Sequence, residues 1–221
     1  MGHWDNTAYI EHANWINVAA ELQRILAEPG RRPIPRPRER VSSGQDPMQY
    51  GSAISVPLWG AAVLPVGGWT IIKTAPFELL CEQQRMSADI RLAVLASALR
   101  ADVFQLNEYD STCCVLVEAS ADGRVRAAGV THEMAIEGKE GTYNGMKLDD
   151  ECRFTLTSPP ESVQRALVTP NPLHGSPART LLAGICGDES ADLYDNRIQV
   201  EYLIPHRALE VPGCDLFFLC V

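Results

Sequence analysis

The chain has 221 residues, of which 46% are hydrophobic and 21% charged. That is enough for one sizeable core, and it is not the composition of a disordered or fibrous chain. The net charge of −9 argues against nucleic acid or an anionic membrane as partner. The longest apolar run, Val56 to Val66, is interrupted by Pro57, Gly60 and Pro65, whereas a membrane-spanning helix needs roughly twenty continuous apolar residues.

The N-terminus reads Met1-Gly2-His3-Trp4-Asp5, with neither a basic n-region nor an apolar h-region. No signal peptide is expected, and the expected setting is a soluble protein of the bacterial cytoplasm. Seven cysteines, Cys81, Cys113, Cys114, Cys152, Cys186, Cys214 and Cys220, make an odd and irregular set without a Cys-x-x-Cys. A secreted disulfide scaffold is smaller and more regular, so these residues read as reduced core cysteines.

Along the chain, Trp15, Val18, Ala19, Leu22, Ile25 and Leu26 recur at steps of three and four, which predicts a helix. Asn14 or Asn6 is placed to cap its start, and Pro29-Gly30 to end it. Residues 30–47 hold four prolines and the run Arg31-Arg32-Pro33-Ile34-Pro35-Arg36-Pro37-Arg38-Glu39-Arg40. This segment reads as a loop or extended arm that adds little to the core. Ile54 to Val56, Ala62 to Leu64 and Trp69 to Lys73 read as strands, the last two separated by a Gly67-Gly68 turn. Thr74 and Pro76 then suit the start of a helix carrying Phe77, Leu79, Leu80 and Cys81. A further helical stretch carries Ile90, Val94, Leu95 and Leu99.

Residues 103–130 read as a three-stranded antiparallel meander. Val103 to Tyr109 and Cys113 to Glu118 are its first strands, and Ala121-Asp122-Gly123 turns into a third. Alternation in Arg124-Val125-Arg126-Ala127 places that third strand near an edge. Residues 131–151 read as loop or short strand, and Ser158-Pro159-Pro160-Glu161 as the capping box of a short helix. Ser176-Pro177 begins another helix that Gly187 stops. A closing hairpin would pair Ile198 to Ile204 with Asp215 to Leu219 through Pro212-Gly213. The expected fold is a single α+β domain spanning residues 1–221, with a mainly antiparallel sheet and helices packed on one face.

No motif in the chain specifies a chemistry, and each candidate stands beside a plainer reading. The five arginines of the 30–47 segment suit a phosphate backbone or an acidic partner. The preferred reading is a solvated loop with a few salt bridges to this acidic protein, since no aromatic residue is interleaved for base stacking. A Cys/His enzyme would draw on Cys114 or Cys186 with His174 or His206. Neither cysteine follows a nucleophile elbow, and Gly-x-Ser-x-Gly is absent. The remaining histidines, His3, His12 and His132, do not lie at metal-ligand spacing. No cofactor is expected. Gly138-Lys139-Glu140-Gly141-Thr142 lacks the spacing of a phosphate loop.

Charge is the feature that points furthest. Residues 1–130 carry 12 basic and 14 acidic groups, whereas residues 131–221 carry 7 and 14. Asp149, Asp150, Glu151, Asp188, Glu189 and Asp192 form two runs with no base inside either. Their plain reading is a pair of solvated loops, and their functional reading is a surface that steers in a basic protein. Trp59 and Trp69, beside glycine-containing turns, are core residues or interface anchors.

The order Trp69-Thr70-Ile71-Ile72-Lys73-Thr74-Ala75-Pro76-Phe77-Glu78-Leu79-Leu80, then Arg91-Leu92-Ala93, then Val103-Phe104-Gln105-Leu106-Asn107 resembles small acidic bacterial immunity proteins, which neutralise toxins. The resemblance covers roughly residues 69–130. It implies a non-catalytic module in which acidic groups meet a basic toxin cleft.

The irregular cysteine spacing leads to a first expectation, that the native protein carries free thiols. Mass measurement after alkylation, with and without reductant, checks it. Two or more intramolecular disulfides would overturn the cytoplasmic assignment.

Overall fold

The computed structural model describes residues 5–11, 13–28, 30–34, 58–66, 68–75, 79–81, 90–109, 113–131, 142–143, 146–147 and 215–220. In chain order the elements are β1 (Asp5–Glu11), α1 (Trp15–Ala27), β2 (Arg32–Ile34), β3 (Leu58–Val66), β4 (Trp69–Ala75) and α2 (Arg91–Leu99). They continue with β5 (Val103–Tyr109), β6 (Cys113–Ala119), β7 (Val125–Thr131), β8 (Thr142–Tyr143), β9 (Met146–Lys147) and β10 (Asp215–Cys220). Eight of the strands form one sheet in the order β2-β10-β3-β4-β1-β5-β6-β7, while β8 and β9 pair separately. Every neighbouring pair is antiparallel. The α+β class with an antiparallel sheet is therefore as expected. Among the described residues no helix is long and apolar enough to cross a membrane.

Helix α1 forms where the apolar stripe predicts it. Asn14 caps it, its side-chain oxygen accepting from the Ile16 N–H at 3.0 Å. Val18, Ala19, Leu22, Ile25 and Leu26 are buried. On the exposed face, Arg24 bridges Glu21 at 2.9 Å and Glu28 at 2.6 Å, the three- and four-residue spacing that brings helical side chains together. The helix ends as Gly30, at φ +87°, donates its N–H to the Ala27 carbonyl. Only a residue without Cβ adopts that conformation at low cost.

Both helices pack on one face of the sheet and against each other. Their buried side chains join Ala8, Ile10, Trp59, Ala61, Val63, Ile72, Val103, Val117 and Ala119 in one apolar cluster. The residues alternating with these are buried too, among them Tyr9, Leu64, Ile71, Phe104, Leu106 and Leu116. A two-sided sheet explains why the strands read as near-continuous apolar runs. Pro65 lies beyond Val63, the last residue of β3 that pairs with β10 among the described residues, and prolines in sheets sit where the missing N–H breaks no ladder bond.

Two expectations are corrected. Thr74 does not cap a helix. It lies within β4, across from Ala61, and Leu79 to Cys81 follow an irregular path of bends. Those bends serve α2 instead. Its N-cap, Ile90, has no capping side chain, so the Leu80 carbonyl takes the Leu92 N–H at 2.9 Å and the Leu79 carbonyl takes the Arg91 guanidinium at 3.0 Å. Carbonyls turned towards another helix's first turn are not available to a helix of their own. Second, the 30–47 segment is not a loop throughout. Arg32–Ile34 form the edge strand β2, and Arg31 is 4% exposed. β10, the second strand of the expected closing hairpin, pairs with β3 and, at Phe218 to Cys220, with β2. The Ile198 to Ile204 strand expected to pair with it lies outside the described residues, as do the helices expected near 158–167 and 176–187.

The meander of β5, β6 and β7 matches expectation, and β7 is the sheet edge. Its second turn is held by side chains. Ser120 N–H bonds the Arg124 carbonyl at 2.8 Å, and Gly123 takes the left-handed position at φ +83°, the usual close of a three-residue hairpin loop. Asp122 accepts from the Ser120 hydroxyl at 2.6 Å and pairs with Arg124 at 2.8 Å. Asp102 accepts the Ala121 N–H at 2.9 Å.

The hydroxyl of Ser120 first, then Arg124, holds the Asp122 carboxyl down at about 2, against its ordinary value of 3.8. A depressed carboxyl stabilises the fold fully above its unfolded pKa, and that contribution disappears as pH falls through the folded one. The turn should therefore weaken between about pH 4 and pH 2. Carboxyl-carbon NMR titration is expected to place the Asp122 midpoint near 2. A midpoint at the ordinary value would contradict the geometry.

Helix α2 ends at Arg100, the one described non-glycine residue with positive φ, at 54°. Its N–H bonds the Ser97 carbonyl while that of Ala101 reaches the Ala96 carbonyl, which is the Schellman arrangement. A side chain strains the left-handed position. Arg100→Gly is expected to raise stability by about 0.5–1 kcal/mol in urea unfolding. A loss of stability would show that the arginine side chain contributes more than its backbone strain costs.

Candidate functional site

The six acids singled out by charge, Asp149, Asp150, Glu151, Asp188, Glu189 and Asp192, lie outside the described residues, as do all five histidines. The Gly138 to Thr142 stretch contributes only Thr142, in β8. Of the cysteines, Cys81 is a buried free thiol. Cys113 and Cys114 occupy successive positions of β6, across from Tyr109 and Glu108. Trp59 and Trp69 are core residues, at 0% and 6% exposure. Among the described residues no group of three or more His, Cys, Asp or Glu is placed to hold a metal ion.

What the fold does assemble is a set of buried polar side chains at one end of the helix-covered face. It begins where a ladder stops. Pairing between β1 and β4 runs from Glu11 and Trp69 to Ala8 and Ile72. Beyond that point the Asn6 side chain takes over. Its oxygen accepts from the Thr74 N–H and the Thr74 hydroxyl, each at 3.2 Å, and its amide nitrogen donates to the Thr74 carbonyl at 3.3 Å. One side-chain amide thus replaces the missing backbone bonds between the strands.

The polar row continues on the next strand. Asn107 lies across from Asn6, and Gln105, two residues along, donates to the Asn107 side-chain oxygen at 2.7 Å. Asn6, Thr74, Gln105 and Asn107 are each at most 2% exposed. Among the described residues the Gln105 side-chain oxygen has no hydrogen-bond donor. A buried acceptor left unmet costs about 1–3 kcal/mol, so this glutamine is an expensive member of the row.

Trp59 stands at the same end, since its neighbour Gly60 pairs with Ala75. Two arginines approach its indole, Arg31 with its guanidinium carbon 3.7 Å from the ring centroid and Arg91 at 4.6 Å. Arginine suits this place because its planar, weakly hydrated cation stacks on aromatic faces. Arg31 enters directly after α1, and Arg91 opens α2. The ring is therefore the point where both helix connections meet the sheet.

The opposite face has buried polar groups of its own. Thr7, Tyr9, Lys73 and Glu118 are each at most 3% exposed. Tyr9 lies across from Phe104 on β5, Phe104 across from Glu118 on β6, and Glu118 across from Arg126 on β7.

Most of these residues carry no signal in the sequence, where Asn6 reads as a helix cap and Arg31 as part of a solvated arm. Lys73 offered a signal, as a single charge closing the apolar strand Trp69-Thr70-Ile71-Ile72. The Thr74–Asn6–Asn107–Gln105 row had none, because it draws on three strands far apart in the chain. Amides, a hydroxyl and guanidinium groups bind and orient, and at neutral pH none of them is a proton-accepting base. The chain matches no family model, no curated protein and no solved structure.

The stacking on Trp59 is open to a double-mutant cycle. Arg31→Ala and Trp59→Leu are expected to couple by about 1–2 kcal/mol in chemical unfolding, the range for a desolvated cation–π contact. Additive effects would show that the two side chains stabilise the fold independently.

Proposed function

We propose that this chain is a non-catalytic protein-binding module whose acidic surface meets a basic partner, in the manner of an immunity protein that neutralises a bacterial toxin in the cytoplasm. The observation that carries this reading is the charge asymmetry. Residues 131–221 hold 14 acidic groups against 7 basic, while residues 1–130 are close to balanced at 14 against 12. Asp149, Asp150, Glu151, Asp188, Glu189 and Asp192 are its proposed contact residues. Opposite charge across an interface raises the rate of encounter and suppresses wrong partners. The resemblance of residues 69–130 to immunity proteins supports the same reading.

The test compares two variants, each first confirmed to be folded by circular dichroism. One replaces the six acids with Asn or Gln. The other replaces Cys113, Cys114 and Cys186 with Ser. Binding to a partner recovered by pull-down is measured across a salt series, together with protection of cells. The acid variant is expected to associate about tenfold or more slowly at low salt, with the difference shrinking as salt screens the interface. The cysteine variant is expected to bind normally. If the acid variant binds normally while a folded cysteine variant is inactive, the protein is an enzyme and the binding-module reading fails.

A further inference from the structure

We draw no further inference here: the strongest candidate, the cluster of buried Thr7, Tyr9, Lys73 and Glu118 on the sheet face opposite the helices, carries nothing because nothing among the described residues shows what covers that face.

Discussion

The sheet depends on a seven-residue strand placed between two units that are each local. β3 and β4 form a hairpin, and β5, β6 and β7 form a meander. Neither unit touches the other through its own ladder. β1 joins them, pairing with Trp69 to Ile72 on one side and with Phe104 to Glu108 on the other. Residues in such a position have a neighbouring strand on each edge, and on both faces of β1 the side chains are buried. Ala8 and Ile10 lie in the apolar cluster with the helices, and Tyr9 is fully buried between them on the reverse face.

That central placement explains why the core turns polar where β4 parts from β1. The two partners do not both follow β1 to its ends: β4 pairs with it from Glu11 to Ala8, and β5 from Tyr9 to Asp5. An apolar residue at position 6 would leave the Thr74 N–H without its bond at depth, a cost of about 1–3 kcal/mol. Asparagine carries a donor and an acceptor on one planar group, which is what a backbone peptide offers. It therefore continues the pairing where the backbone cannot. The Arg31–Trp59–Arg91 stack at the same end works in a comparable way, holding the exit of α1 and the entry of α2 to β3.

Legibility in the sequence follows the range of the interactions involved. Helix α1 is readable because its stripe, its Asn14 cap and its glycine stop all lie within some sixteen residues. The meander is readable because Asp122-Gly123 specifies a turn whichever strands flank it. Thr74 is misread because a threonine shortly before a proline satisfies a helix-start pattern and a strand end alike, and only Asn6, far away in the chain, distinguishes them. Arg31 is misread because nothing in a basic, proline-rich run marks which arginine turns inward. The partners of β10 are illegible for a related reason: a three-residue edge strand such as β2 is too short for any alternation to register. The acidic set is legible as charge alone, and its residues lie outside the described ones.

The position of β10 has a consequence during synthesis. β3 reads Leu58-Trp59-Gly60-Ala61-Ala62-Val63-Leu64-Pro65-Val66, without a single charge. One of its edges closes early, on β4 immediately after it, but the other waits for Asp215 to Cys220. At roughly 5–20 residues per second, well over a hundred residues must be added before that edge is capped, an interval of many seconds. A nascent chain on the ribosome therefore holds an uncharged strand with open backbone groups, the kind of edge that recruits other strands. Pro65, beyond the last residue that β10 covers among the described residues, interrupts the row of donors at one end. A chain stopped short of residue 215 would keep that edge permanently, so premature termination should yield aggregate rather than a smaller folded protein.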